Sequence, residues 1–384
     1  MSVTAARGFR AAGVTAGLKE SGDPDVALVV NDGPSFVAAG VFTRNSVVAA
    51  PVRWSRQVLR WNALKAVILN SGGANACTGP NGFADTHHTA ERVAAELNLA
   101  PIDVAVCSTG LIGVPLDMPS LLAGVDAAVA SLAEDGGDAA ARAILTTDTV
   151  SKQAVAHRAG ATLGGMAKGA GMIAPGMATM LCVLTTDAVV DPAVAQLALE
   201  RAVEQTFNRI DSDGCMSTND TVILMASGAG GAMLDDIVLE DLLTEVCAAL
   251  ARAIITDAEG ASKEILIQVD SAASEGEAVA AARAVARSNL FKCAMYGEDP
   301  NWGRIVSAVG TSEAAFDPDD LSVTINGVQV CAQGAPVPGA AEQADLSGRE
   351  VTVVIDLAAG PFRGHVWTND LTPEYITVNS AYST

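Results

Sequence analysis

Short apolar runs alternate along the chain with longer segments in which apolar residues recur every three or four positions. The short runs are rich in β-branched residues and predict buried strands, while the periodic segments predict amphipathic helices. One helix is marked by Asp191 at its cap and Pro192 in its first turn. The strands are expected at 26–30, 66–69, 104–107, 180–185, 221–225, 322–330 (a hairpin turning at Asn326-Gly327), 350–357 and 374–378, and the helices at 89–97, 119–134, 139–145, 192–207, about 241–255 and 273–287.

The order of these elements bears on the fold class. Helices fall in blocks between groups of strands, which favours an α/β (α+β) layered sandwich over a doubly wound parallel sheet. The chain has 384 residues, enough for two to three domains or lobes, and 50% of them are hydrophobic while only 4% are aromatic. This composition is typical of a tightly layered enzyme rather than a disordered protein.

Charge and cysteine usage exclude several classes of partner. Forty-four acidic residues against 23 basic ones give a net charge of −21, which disfavours nucleic acid and anionic membranes as partners. No apolar run reaches the roughly 18 residues of a membrane span. The seven cysteines are scattered singly and the four histidines form no metal-binding spacing, so we expect reduced thiols, a cytoplasmic location and no metal.

Three glycine-rich segments invite a nucleotide-binding interpretation. Residues 70–79, 164–169 and 227–233 each lack the glycine and lysine spacing of a phosphate-binding loop. We therefore interpret them as tight turns and expect no bound cofactor.

The most informative segment is 168–181, KGAGMIAPGMATML. Glycine and proline predict an irregular backbone, and the apolar run that follows predicts a fully buried strand. Ala178 and Thr179 thus stand at the mouth of a central strand, where a hydroxyl could act as a nucleophile. If the bond between them were cut, Thr179 would gain an α-amino group with a pKa of about 8, which could serve as its base.

Three other segments carry candidate chemistry. Thr109 and Gly110 end a strand, where exposed amide groups could form an oxyanion hole, although any strand-to-loop turn has this pattern. Residues 146–149, TTDT, favour a capping turn, and lining a pocket for a small polar substrate is the alternative. Glu259 follows a predicted helix, where an acid opposes the helix dipole, so a ligand amine is a plausible reason for it.

Taken together, these motifs resemble the glutamate N-acetyltransferase family, also called ornithine acetyltransferase, of arginine biosynthesis. The resemblance covers essentially the whole chain, and its motifs occur in the expected order. They are GFRAAG (8–13), VFTRN (41–45), NSGGANACTG (70–79), TTDT (146–149), KGAGMIAPGMATML (168–181), DPNWGR (299–304) and VNSAYST (378–384).

The resemblance implies a fold and a maturation step. The fold would be an αββα sandwich like that of N-terminal-nucleophile hydrolases. The precursor would cleave itself between Ala178 and Thr179 into an α chain, 1–178, and a β chain, 179–384, and two copies of each would form an α2β2 heterotetramer.

The resemblance also implies residue roles. Thr179 would be the nucleophile, with Thr109 and Gly110 forming the oxyanion hole. Substrate contacts would fall on Thr146 (with Thr147 as the adjacent alternative), Lys168, Thr179, Glu259, Asn379 and Thr384.

The implied reaction transfers the acetyl group of N2-acetylornithine to glutamate through an acetyl-Thr179 intermediate. No residue decides whether acetyl-CoA also serves as a donor, or whether the chain serves a secondary-metabolite pathway. Two alternatives remain: a self-cleaving threonine aminopeptidase or amidase of related fold, and a non-catalytic acidic binding protein. The first would give the acyl group to water, and the second would leave the chain uncleaved.

Overall fold

The fold is built from fifteen strands and ten α-helices within the part that the computed structural model describes, residues 2–174 and 180–381. Ala178, Thr179 and Thr384 lie outside the described residues, so the predicted cleavage bond is known only by its flanks. The strands are β1 (Phe9–Val14), β2 (Val26–Asn31), β3 (Val37–Phe42), β4 (Ala66–Asn70), β5 (Val104–Ser108), β6 (Lys152–Arg158), β7 (Ala161–Lys168), β8 (Leu181–Thr186), β9 (Thr221–Ala226), β10 (Glu264–Ala272), β11 (Ser322–Ile325), β12 (Val328–Ala332), β13 (Ala335–Pro336), β14 (Glu350–Asp356) and β15 (Phe362–Asn369).

The helices of the structure confirm the helices that were predicted from the apolar periodicity. Pro192 opens one of them, and the carboxylate of Asp191 accepts a hydrogen bond from the N–H of Ala193 at 2.8 Å, as the predicted cap requires. The helices are α1 (Ala50–Val58), α2 (Gly79–Leu97), α3 (Met118–Ala130), α4 (Gly137–Ala143), α5 (Pro192–Gln205), α6 (Asp236–Thr256), α7 (Glu275–Ala286), α8 (Asn289–Tyr296), α9 (Trp302–Val309) and α10 (Pro373–Ala381).

Two sheets pack face to face between layers of helices. One sheet has the strand order β1-β2-β4-β5 and the other β3-β9-β8-β7-β6. Alternate residues of β8 divide between two cores: Leu181 and Val183 pack towards the first sheet, while Cys182 and Leu184 pack towards α5 and α6. This period of two in a fully buried strand places β8 in the middle of the molecule and confirms the αββα sandwich.

A third sheet forms a separate core that the sequence did not predict as a layer of its own. Its order is β13-β12-β11-β14-β10-β15, and α7, α8 and α9 supply apolar residues to the same cluster. The hairpin at Asn326-Gly327 joins β11 to β12, as predicted, with both residues in the left-handed region. The last strand of this sheet, β15, leads directly into α10.

The predicted strand at 374–378 is wrong, because these residues belong to α10. The hydroxyl of Thr372 accepts a hydrogen bond from the N–H of Tyr375 at 3.0 Å, and Pro373 occupies the first helical position. A hydroxyl cap followed by proline is a helix-start signal, and it outweighs the short apolar alternation, of which no residue is buried.

The helices of the described residues include none that is long and apolar enough to cross a membrane.

Candidate active site

The ends of the segment 168–181 are paired directly across the central sheet. Lys168, the last residue of β7, lies opposite Leu181, the first residue of antiparallel β8, and Leu181 lies beside Thr221 of parallel β9. The segment is therefore the connection between two neighbouring strands. Its two ends and the start of β9 meet at one edge of the sheet.

The strand end at Thr109 faces this edge from the other sheet. The N–H of Thr109 donates to the carbonyl oxygen of Asn70 at 2.9 Å, so it is already occupied. Gly110 follows with a φ of 129°, a conformation that disfavours any side chain. The amide of Asn219, just before β9, donates to the carbonyl oxygen of Ser108 at 2.8 Å and thereby joins the two sheets at this point.

A cavity of about 260 Å³ opens between these elements. It brings together every predicted site residue that the structure describes, and it also exposes residues that the sequence did not single out. The predicted residues in its wall are Thr109, Gly110, Thr146, Thr147, Lys168, Glu259 and Asn379, and the additional ones include Met172, Asp213, Cys215, Asn219 and Tyr375.

Lys168 is a buried cation at the base of the cavity. Its Nζ lies 3.4 Å from the hydroxyl oxygen of Thr109 and 3.9 Å from Oδ2 of Asp148. Burial lowers the pKa of Lys168, and the charge of Asp148 acts against that effect. An ammonium group placed here can bind a carboxylate of a ligand.

Asp148 continues a buried row of alternating charges: Lys168, Asp148, Lys152 and Asp257. The Nζ of Lys152 lies 2.6 Å from both aspartates, and Lys152 and Asp148 have no exposed side-chain surface. Burial alone would raise the pKa of Asp148, but Lys168, Lys152 and hydrogen bonds lower it to about 2. The alternating signs explain how four charges remain buried together.

The same carboxylate holds two walls of the cavity. Asp148 accepts hydrogen bonds from the N–H of Gly169 at 2.7 Å and from the N–H of Thr146 at 3.1 Å. The TTDT segment is thus a turn stabilised by its own aspartate, as the favoured interpretation held. Thr146 and Thr147 of this segment also line the cavity, and their contact with a substrate stays a prediction.

Glu259 and Asn379 form the opposite wall. The amide of Asn379, on α10, donates to Oε2 of Glu259 at 2.9 Å, and the N–H of Glu259 donates to the carbonyl oxygen of Ala170 at 2.9 Å. A Cβ at Gly171 would lie 2.6 Å from Glu259 Oε2, so a larger residue here would displace the carboxylate of Glu259. The helical form of 373–381 is what directs Asn379 towards Glu259.

Asp213 lies in the wall between this cavity and a second one of about 270 Å³, together with Glu259 and Tyr375. Burial raises the pKa of Asp213 to about 6 despite hydrogen bonds from the N–H groups of Cys215 and Met172. Burial also raises the pKa of Tyr375 to about 12, with Asp213 and Glu259 contributing. This wall concentrates negative charge where a cationic group could bind.

Sequence reasoning missed Asp213 and Asn219 as parts of the site and considered Asp148 only as one residue of the TTDT segment. The one local signal was the spacing of Asp148 and Lys152, four residues apart, but it gave no reason to expect burial. Within residues 2–174 and 180–381, no group of three or more histidine, cysteine or carboxylate side chains is placed to hold a metal ion.

Comparison with known proteins assigns the chain to a family. The family model described as "ArgJ family" matches residues 10–384. The chain belongs to the ArgJ family.

Relatives of similar length support this membership. The arginine biosynthesis bifunctional protein ArgJ of Streptomyces coelicolor is 59% identical over 383 residues, covering 100% of both chains. The protein of the same name from Thermobifida fusca is 59% identical over 384 residues, again covering 100% of both.

A solved structure of the arginine biosynthesis bifunctional protein argJ from Bacillus halodurans matches with a TM-score of 0.50. It is 35% identical and covers 52% of this chain and 97% of that chain. The solved chain is therefore about half as long as this one.

Proposed function

We propose that this ArgJ-family chain is an acetyltransferase of arginine biosynthesis that transfers the acetyl group of N2-acetylornithine to glutamate. The observation that carries the proposal is the joint lining of one cavity by Lys168, Thr109 and Glu259, beside the strand that Thr179 precedes. The names of the full-length relatives place them in the same pathway.

The substrate would be oriented by its charged ends. Lys168 would bind the α-carboxylate that acetylornithine and glutamate share, and Glu259 would bind the δ-ammonium of ornithine. The cavity, at about 260 Å³, is small enough to favour an amino acid over a peptide.

The acetyl group would pass through Thr179. Its hydroxyl attacks the amide carbonyl, its α-amino group takes the proton and returns it to the departing ornithine, and an acetyl ester remains. Because the Thr109 N–H is bound to Asn70, the donors to the oxyanion are the Thr109 hydroxyl and the Gly110 N–H. The amine of glutamate then attacks the ester and leaves as N-acetylglutamate. This scheme uses no cofactor, and acetyl-CoA would enter only as a second donor.

The mechanism requires self-cleavage between Ala178 and Thr179, giving chains of 1–178 and 179–384 that would assemble as a cytoplasmic α2β2 heterotetramer. The half-length chain of the solved relative is consistent with this division. Thr146, Thr147, Asn379 and Thr384 would complete the substrate contacts, with Thr384 outside the described residues.

The test begins with the intact mass and N-terminal sequence of the purified protein. A fragment that begins Thr179-Met180-Leu181 supports the nucleophile, whereas a single folded chain of 38.9 kDa contradicts it. The cleaved enzyme is then given N2-acetylornithine labelled in its acetyl group, with and without glutamate. Label in N-acetylglutamate supports the transferase, and free acetate at the same rate in both samples would identify the alternative hydrolase.

A further inference from the structure

Asp220 is a fully buried carboxyl group that the proposed reaction does not use. It directly precedes β9, and its Oδ1 accepts a hydrogen bond from the N–H of Met180 at 3.2 Å. The next residue, Thr221, donates its N–H to the carbonyl oxygen of Met180 at 3.1 Å. Both the N–H and the carbonyl oxygen of Met180 are thus hydrogen-bonded.

The position of Met180 in the chain gives this contact its importance. The nitrogen of Met180 is bonded to the carbonyl carbon of Thr179 at about 1.3 Å in any peptide unit. The Asp220 carboxyl group therefore contacts the residue that directly follows the proposed nucleophile in the chain.

Asn219 ties the same position to the predicted oxyanion hole. Its amide donates to the carbonyl oxygens of Ser108 at 2.8 Å and Ala74 at 2.6 Å, and both residues adjoin the Thr109 turn. The backbone of Asp220 is fixed as well, because its carbonyl oxygen accepts the N–H of Thr43 at 2.9 Å. Two adjacent side chains thus hold Met180 and tie the start of β9 to the strand end at Ser108.

The second carboxyl oxygen of Asp220 is unused. Oδ2 is buried and has no hydrogen-bond partner of normal geometry among the described residues, although the hydroxyls of Ser217 and Thr43 face the carboxyl group. Burying a charged carboxylate oxygen without a hydrogen-bond partner costs free energy. If the oxygen is protonated, it carries no charge and its O–H can donate a hydrogen bond or a proton.

The surroundings favour the protonated form. Burial raises the pKa of Asp220 well above its usual range, and the Met180 N–H, the two hydroxyls and the charge of Lys168 only partly oppose this. Cys215, on the loop before β9, is a further titratable neighbour, and burial raises its pKa. The raised pKa and the unpaired Oδ2 together favour a protonated, neutral carboxyl group in the folded chain.

We propose that Asp220, as a neutral carboxylic acid, donates the proton that the nitrogen of Thr179 needs when the Ala178–Thr179 bond breaks. The inference rests on the self-cleavage in the proposed function. It addresses a step for which the α-amino group of Thr179 is not available, because that amine forms only when the bond is cut.

The step balances as an acyl shift followed by hydrolysis. The Thr179 hydroxyl attacks the Ala178 carbonyl carbon, the C–O bond forms, and the C–N bond breaks as Asp220 protonates the nitrogen. The hydroxyl proton passes to water and returns to the Asp220 carboxylate. Water then hydrolyses the ester to the Ala178 carboxylate and the free Thr179 hydroxyl.

The test follows cleavage by intact mass in chains made by cell-free synthesis. Asp220→Asn has the same shape and can still accept the Met180 N–H, but it cannot supply an acidic proton. We expect cleavage to slow at least tenfold, leaving the 38.9-kDa chain. Asp211→Asn is the matched control, since Asp211 is also a buried carboxyl group with a raised pKa, but it pairs with Arg287. This control should cleave at the wild-type rate.

The outcomes separate the inference from the proposed function. A wild-type chain that never cleaves overturns both, whereas cleavage of Asp220→Asn at the wild-type rate overturns the role of Asp220 alone. A measurement on the wild-type chain remains decisive if the variant does not fold. Its cleavage rate should fall at alkaline pH, because the acid is lost there, and a rate that keeps rising with pH would contradict an acid donor.

Discussion

The Nζ of Lys168 lies 3.4 Å from the hydroxyl oxygen of Thr109, although the two residues end strands of different sheets. The contact joins the proposed carboxylate-binding group to the proposed oxyanion donor. In the proposed reaction it would set the distance between the charged end and the reacting carbonyl of an N-acetyl amino acid. A ligand with the wrong separation between these groups could not use both.

Replacing Gly110 should impair catalysis more than binding. A Cβ at this position would lie 2.7 Å from the nitrogen of Gly73, so Gly110→Ala must shift the turn that carries the oxyanion donors. We expect kcat for acetyl transfer to fall by roughly 10²-fold, as for loss of one oxyanion donor. The control is Gly113→Ala, which also has a positive φ but no atom within 4 Å of its new Cβ. A similar loss in both variants would point to backbone strain instead.

Removing the charge of Lys168 should weaken the binding of both substrates. Lys168→Met keeps much of the buried volume but loses the ammonium group, so KM for acetylornithine and for glutamate should each rise roughly 10- to 100-fold. Steady-state kinetics with each substrate varied in turn provide the measurement. Lys65→Met, which loses an ion pair with Asp103 outside the cavity, should leave both KM values unchanged. An effect on only one substrate would show that Lys168 does not bind the shared carboxylate.

Glu259 should discriminate between the two substrates. Glu259→Gln preserves shape but removes the charge, so KM for acetylornithine should rise roughly tenfold while KM for glutamate stays the same or falls. Asn379→Ala removes the partner of Glu259 without removing the charge, and should have a smaller effect. Unchanged kinetics on the ornithine side would disprove the pairing with the δ-ammonium.

Asp148→Asn should lower the free energy of unfolding at neutral pH. The pKa of Asp148 is held at about 2, below its ordinary value, so its ionised form stabilises the folded chain above about pH 4. That stabilisation, on the order of 2 kcal/mol, is lost as the pH falls towards 2. Thermal unfolding of both proteins across this range should show curves that converge in acid. Parallel curves would mean that the charge of Asp148 is not the stabilising feature.

Asp213→Asn should raise the free energy of unfolding at neutral pH, the opposite of the effect expected for Asp148→Asn. The pKa of Asp213 is raised to about 6, so the folded chain holds this proton more tightly than the unfolded chain. The free energy of unfolding therefore decreases as the pH rises from about 4 to 6. The variant avoids this loss and should be more stable above pH 6 by roughly 2 kcal/mol, less than the full shift implies because the side chain is partly exposed. A variant less stable than the wild type at pH 7 would contradict this.

The sequence predicted the fully buried strands better than it predicted the partly exposed strands or the C-terminal segment. Fully buried strands such as β5 and β9 each contain a run of at least four consecutive apolar residues, a signal strong enough to read without tertiary context. The strand predicted at 374–378 failed because α10 buries none of its residues, so its few apolar positions carried no packing information. For this segment, Thr372 and Pro373 were the better signal, because a hydroxyl cap followed by proline indicates the start of a helix.

The sequence by itself determined the layered α/β class, the buried central strand and, through its motifs, the residues around the cavity. Only the tertiary structure decided that Asp148 and Lys152 are buried partners, that Asn219 reaches the oxyanion turn and that Asp220 holds Met180. The physical reason is that burial and pairing of charges depend on residues from distant segments. A polar residue on a surface and one in a charged core look the same in a linear sequence.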